Sequence, residues 1–297
     1  SRLEEHLNLG AAFYQTGMLE EAEREFIRIL EIDPGNWEAA FRLAAIEIRG
    51  RRYREGARRL MRLIGEGRRA PSVFHNLALC LESMGRTADA LLTIDEGLKG
   101  FPDQSPLLLA RGILLVKTGK PGAACVAFDA YARVASRVEA RPAAFFVFSV
   151  LALAASGRLP EALERAEEGL RAYPRSAPLL LHSGLVLDRN QRIADAIMRY
   201  QRAVDEDPTL VPARRALADA LFQQGTFDEA AEVYRGLLTE EAGGAEIRFR
   251  LGEIAYERGD HAGAITYWRE TIGADPHHSQ ARAKLESAER QLHSAGR

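Results

Sequence analysis

The side chains of this 297-residue chain best suited to chemistry are seven histidines, two cysteines and a dense run of arginines. His6, His75, His182, His261, His277, His278 and His293 are scattered along the sequence. His277 and His278 follow Pro276 and lack the neighbouring carboxylates or cysteines that a zinc site requires, so they read as a solvated turn. Cys80 and Cys125 stand far apart and read as small buried hydrophobes rather than as a disulfide or a cysteine metal site. No glycine loop of the phosphate-cradling kind is present. The expectation is a chain with no catalytic residues, no metal, no cofactor and no enzymatic activity.

The arginines are the one strong charge feature. Arg49, Arg51, Arg52, Arg54, Arg58, Arg59, Arg62, Arg68 and Arg69 fall within 21 residues, opposed locally by Glu55 and Glu66. A basic patch of this kind can dock acidic protein, anionic lipid or RNA. The aromatic interleaving that base stacking needs is missing, which disfavours nucleic acid, and a plain solvated face is the simplest reading. Net charge is −2, with 46% hydrophobic and 28% charged residues, so nothing global pulls the chain toward nucleic acid or membrane. The longest uncharged stretch, 142–156, is too short for a bilayer span of about 20 residues.

What must position these side chains is a repeat. Gly10, Ala44, Ala78, Gly112, Val150, Gly184, Ala218 and Gly252 lie 34, 34, 34, 38, 34, 34 and 34 residues apart. Ala22, Gly56, Ala90, Ala124, Ala162, Ala196, Ala230 and Ala264 step in the same register. Between the two series stands a turn glycine, as in Gly17, Gly85, Gly119, Gly157, Gly225 and Gly259. Pro34, Pro102, Pro174, Pro208 and Pro276 close five of the periods. Within a period, Leu9, Gly10 and Phe13 make one helical stripe and Ala22, Phe26 and Ile29 another, at i, i+3, i+4 spacing. Glycine at the turn reaches positive φ cheaply, and Asp33-Pro34-Gly35-Asn36 stops the second helix.

A 34-residue period with this pattern resembles the tetratricopeptide repeat, two antiparallel helices per period. The resemblance implies one all-α domain over 1–297. It would be a right-handed α-solenoid of eight helix-turn-helix repeats at 3–36, 37–70, 71–104, 105–138, 143–176, 177–210, 211–244 and 245–278. A capping helix at 279–293 follows, giving seventeen helices and no strands. The second repeat is the least regular, with Gly56 for alanine and the run Gly65-Glu66-Gly67. The fourth carries four extra residues, Glu139-Ala140-Arg141-Pro142.

In that family the first helix of each repeat lines a concave inner surface. Carried over, a partner-binding groove comprises Leu109, Ile113, Val116, Val147, Phe148, Leu151, Leu181 and Leu185. Leu108 and Leu115 already supply a core stripe, so the first helices of the central repeats are apolar nearly all round and must be buried on more than one face. Either the array closes on itself or the groove takes an amphipathic helix or extended apolar segment. The groove rim would carry Arg42, Arg49, His75 and Asn76 on one side and Asp219, Glu246, Glu253 and Glu257, with Arg215 and Arg250, on the other. The second helices lie outside, which puts the basic patch of Arg51, Arg52, Arg54, Arg58, Arg59 and Arg62 on the convex side or edge. The lysine–asparagine clamp by which some members hold chaperone tails is replaced here by Leu7, Ala11, Arg42, Ser72 and Asn76. The asparagine ladder of sugar-transferase relatives is matched only by Asn8 and Asn76.

The resemblance therefore implies a non-enzymatic protein-binding scaffold. The arginine- and alanine-rich style suits a bacterial array, in an envelope, pilus or secretion assembly or a cytoplasmic regulatory complex, with the cytoplasm favoured over the periplasm. Two alternatives stay open: a regulatory or targeting domain of a larger enzyme such as a transferase, and a homo-oligomeric scaffold. The start at Ser1-Arg2 rather than methionine fits a processed or partial chain.

Overall fold

A computed structural model describes residues 2–135, 141–238 and 244–295. Two compact lobes divide the chain, Ser1–Ser156 and Gly157–Arg297. The first holds α1 (Arg2–Gln15), α2 (Leu19–Ile32), α3 (Trp37–Arg49), α4 (Tyr53–Gly65), α5 (Pro71–Ser83), α6 (Thr87–Gly100), α7 (Ser105–Lys117), α8 (Pro121–Val134) and α9 (Ala143–Ala155). The second holds α10 (Leu159–Ala172), α11 (Ala177–Arg189), α12 (Ile193–Glu206), α13 (Val211–Gln224), α14 (Phe227–Leu238), α15 (Ala245–Glu257), α16 (His261–Ala274) and α17 (Ser279–Ala295). There is no strand among the described residues. The architecture is the all-α solenoid of repeats expected from the spacing. Of the four inserted residues, Glu139 and Ala140 lie outside the described residues. Arg141 donates to the carbonyls of Ala132 and Ala135, both at 3.1 Å, and so closes the C-terminal turn of α8.

Within each lobe, each helix packs on the next along the chain, and alternate first helices also meet. The close approach inside a repeat is a matter of matched sizes. A Cβ added to Gly10, Gly112, Gly184 or Gly252 would stand 2.9, 2.4, 2.5 or 2.5 Å from the ring of Phe26, Phe128, Tyr200 or Trp268. In each pair the glycine is the eighth residue of its repeat and the ring the 24th. Where the eighth residue is Ala44 or Ala78, the 24th is the smaller Leu60 or Ile94. All of these 24th-position side chains are buried.

The turn inside each repeat is equally uniform. The 15th residue has positive φ in every repeat, at Gly17, Gly85, Gly119, Gly157, Gly225 and Gly259, and also at Arg51 (φ 59) and Gln191 (φ 61). The 16th amide then bonds the carbonyl five residues back, as in Met18 to Phe13 at 2.9 Å and Arg192 to Leu187 at 3.0 Å, a Schellman closure. The left-handed region costs a non-glycine residue about 1–2 kcal/mol, against about 0.4–1 kcal/mol that glycine loses through unfolded-state entropy. Arg51→Gly and Gln191→Gly should each stabilise the protein by about 0.5–1 kcal/mol in urea denaturation; a lower midpoint for either would contradict this account. Between repeats, Asp33, Asp207 and Asp275 accept from the amide two residues on, at 3.2, 3.0 and 3.0 Å, ahead of which proline ends the helix.

In the second lobe α17 covers the apolar face of the last repeat. Ala281 and Ala288 are buried against Phe249, Ile265 and Trp268, while Tyr256 donates to Gln291 at 2.9 Å and Arg269 meets Glu289 at 2.6 Å.

Candidate functional site

The first helices of the repeats carry the predicted groove, and each lobe presents its own part of it. In the first lobe α5 and α7 border a cavity of about 380 Å³. His75, Leu79 and Glu82 face it from α5 and Leu109, Ala110 and Ile113 from α7, with Tyr131 of α8 also on its wall. Spacings of four, then three, on α5 and four on α7 put each set on one face of its helix. Leu109, Ile113, Val116, Val147, Phe148 and Leu151 are all half-buried. Leu79 is 40% exposed. The strip is not bare of charge, because Lys117 pairs with Glu82 across α5 and α7 and lies 5.8 Å from the centre of the Phe148 ring.

Leu181 and Leu185, in the second lobe, part company. Leu185 is 37% exposed, whereas Leu181 is buried at 6% with Leu179 and Leu180. Leu181 is thus a core residue rather than a groove residue. Carrying over a family position overlooks how fully α11 is enclosed by α10, α12 and α13, on which it packs.

The charged rim is mostly engaged. Arg42 reaches Glu38 at 3.5 Å, and Arg49 donates to the Tyr14 carbonyl at 3.2 Å with its guanidinium over the Tyr14 ring. His75 and Asn76 are half-buried, His75 on the cavity wall. In the second lobe Arg250 bridges Glu246 (3.3 Å) and Glu253 (2.9 Å) and lies over Phe222 and Phe249. Glu246 also meets His278 and Glu253 meets Lys284, while Asp219 accepts from the Tyr234 hydroxyl, and Glu257 is exposed. The neighbouring Asp188 was not apparent from the sequence. Burial, and then the charge of Asp219, hold its carboxyl above the usual carboxylate range. Burial likewise pulls the His182 imidazole below its usual value.

The arginine cluster is far less basic than its local sequence suggests. Arg52 pairs with Glu23 (2.8 Å), Arg59 with Glu47 (2.7 Å) and Arg69 with Glu96 (2.6 Å), acids that stand on other helices. Arg58 meets Glu55 and Arg62 meets Glu66 on their own stretch. Arg51 and Arg54 are exposed with no ion pair among the described residues. Cys80 and Cys125 are buried free thiols, and burial together with the nearby charge of Glu47 pushes the Cys80 thiol up to about 11, which leaves it inert near neutrality. Among the described residues no group of three or more His, Cys, Asp or Glu side chains could hold a metal ion, and no helix is long and apolar enough to cross a membrane.

Profiles described as tetratricopeptide repeat match residues 149–211 and 215–279, and another matches residues 6–36. The ER membrane protein complex subunit 2-A of Xenopus laevis is 29% identical over 121 residues, which is 41% of this chain and 41% of that protein. Among solved structures, the APC/C hetero-tetramer Cut9-Hcn1 superposes with a TM-score of 0.65 at 16% identity, over 91% of this chain and 52% of the other. The chain thus spans about half or less of the length of these relatives. PilF of Pseudomonas aeruginosa gives 0.61 at 16% identity over 74% and 97% of the two chains, and YrrB 0.55 at 19% over 65% and 97%. At these identities the structural likeness speaks for the fold, and it agrees with the repeat profiles and the 34-residue register: the chain belongs to the tetratricopeptide repeat family, a protein–protein interaction scaffold.

Proposed function

We propose that this chain is a non-catalytic scaffold whose first helices seat an apolar segment of a partner protein, an amphipathic helix or an extended peptide. The observation that carries the reading is the cavity between α5 and α7. Its volume of about 380 Å³ falls inside the range of about 300–1,000 Å³ typical of ligand pockets, and its wall is apolar apart from a few groups such as His75 and Glu82. Leu79, Leu109 and Ile113 are positioned to pack on one or two large side chains. Val147, Phe148 and Leu151 of α9 supply further half-buried apolar surface in the same lobe, and Leu185 offers a separate contact in the second. Each side chain fully buried is worth about 1.5–3 kcal/mol. Four or five such anchors, less the cost of association, give about −8 kcal/mol, a micromolar complex. Arg42, Arg49, His75 and Asn76 would set orientation and association rate in the first lobe. YrrB is described as a TPR protein with an unusual peptide-binding site, so peptide capture is compatible with this fold.

The test is a pair of charges placed in the cavity. Leu109→Asp with Ile113→Asp should weaken binding of a partner recovered by the wild-type chain at least 100-fold in calorimetry, with helicity unchanged by circular dichroism. Undiminished affinity in a folded variant would overturn the proposal. A mass that doubles on concentration and falls back in the variant would identify the partner as a second copy of this chain.

A further inference from the structure

The 24th residues of the three complete repeats in the second lobe are Tyr200, Tyr234 and Trp268. The Tyr234 hydroxyl donates to Asp219, the ninth residue of its own repeat. Tyr200 occupies the same register one repeat earlier, but there the ninth residue is Leu185, so the counterpart acceptor is missing. The Tyr200 side chain is wholly buried and its hydroxyl has no hydrogen-bond partner, an exception to the rule that buried polar groups are satisfied. Its ring lies against Gly184, and Asp188 stands one turn further along the same face of α11. Asp188 and Asp219 are half-buried on α11 and α13, which pack on one another, and the charges of both bear on the Tyr200 hydroxyl.

The surrounding acids behave differently. Glu167 pairs with Arg199, Asp195 with Arg192, Glu206 with Arg175, and Glu253 with Arg250 and Lys284. Asp188 and Asp219 have no ion pair among the described residues. Arg189 lies near enough to oppose their effect on Tyr200, and Arg250 is engaged by Glu246 and Glu253. Two carboxylates that repel each other, set over a buried hydroxyl with nothing to bond, form a site short of a positive charge.

We infer that Asp188, Asp219 and Tyr200 form a seat for one lysine side chain of the bound partner. An ammonium carries three donors, and the site offers three oxygens to accept them, the Tyr200 hydroxyl donating its own proton to one carboxylate as it accepts. A compact point charge fits such a converging set better than a planar guanidinium does. The inference rests on the proposed capture of a protein segment only for the source of the cation.

The probe is n-butylammonium, the lysine side chain without its backbone. It is titrated into the full chain carrying ¹³C-labelled aspartate, and the carboxyl carbons are followed by NMR. Asp188 and Asp219 should shift saturably, with a midpoint at least tenfold below any response of the exposed Asp103, and Asp219→Asn should abolish saturation at Asp188. That variant keeps an acceptor for Tyr234, and Asp188→Asn read at Asp219 repeats the test should it misfold. A linear response, an equal midpoint at Asp103, or saturation that survives both variants would overturn the seat. So would an equal response to magnesium chloride at the same concentration, which would mark a simple inorganic cation site. Because the probe is not an apolar ligand, the seat and the cavity of the first lobe can fail independently.

Discussion

Gly112→Ala is expected to destabilise the protein by about 2 kcal/mol, although alanine is the better helix former by about 1 kcal/mol. The added Cβ would sit 2.4 Å from Cε1 of Phe128 and 2.7 Å from two further ring atoms. Overpacking of a dense core costs about 1–3 kcal/mol, and a clash with a ring locked among other rings belongs at the upper end. Phe128 has little room to yield. Phe145 stands edge-on at 5.9 Å and is itself stacked on Tyr131 and Phe146 at 5.0 and 5.1 Å. Adding Phe128→Leu to Gly112→Ala should recover at least half of the loss, since it reproduces the pairing of Ala44 with Leu60. Gly122→Ala, where nothing lies within 4 Å, should instead be neutral or stabilising. Urea denaturation followed by circular dichroism measures all three. A Gly112→Ala midpoint at or above wild type would contradict the size-matching account.

Arg59→Met is expected to cost about 3–5 kcal/mol, and Glu47→Leu with Arg59→Met together much less than that. Glu47 is 4% exposed and receives the guanidinium from two sides, Nη2 at 2.7 Å and Nε at 3.1 Å. Removal of the arginine strands a charge in a site where water cannot replace it. Removal of both partners takes away the attraction and the desolvation together, and such swaps are often neutral or stabilising. Denaturation of the two single variants and the double completes the cycle. An additive result would show that the pair is not coupled. The Cys80 thiol reports on the same site. Glu47→Gln should lower its pKa from about 11 and speed alkylation at pH 8 modestly, because burial, the larger cause, persists.

The repeat register was legible because it rests on short-range steric rules that sequence spacing preserves. Glycine at the 15th position of six repeats marks the turn directly, while Arg51 and Gln191 show that the backbone keeps its left-handed residue even where the side chain objects. The inert cysteines were equally legible, from isolation alone. Partnering across repeats was not. Arg52 and Glu23 are 29 residues apart and Arg69 and Glu96 are 27, so a count of opposing acids within the cluster could not find them. The exposure of Leu79 and the burial of Leu181 depend in the same way on neighbouring helices. Asp188 drew no notice because an aspartate near a helix end is unremarkable until the Tyr200 hydroxyl is placed beneath it.

The matched sizes at the eighth and 24th positions also bear on how such an array can change over time. Tandem copies invite unequal crossing-over, and a recombination point inside a repeat would join the first helix of one to the second helix of another. A junction that puts Ala44 opposite Phe128 creates the clash described for Gly112→Ala, and one that puts Gly112 opposite Leu60 leaves a void. Breakpoints between repeats carry neither penalty. Inheritance of these helices should therefore run in intact pairs, and a library of shuffled repeats cut at the inter-repeat proline turns should yield more folded products than one cut at the glycine turns.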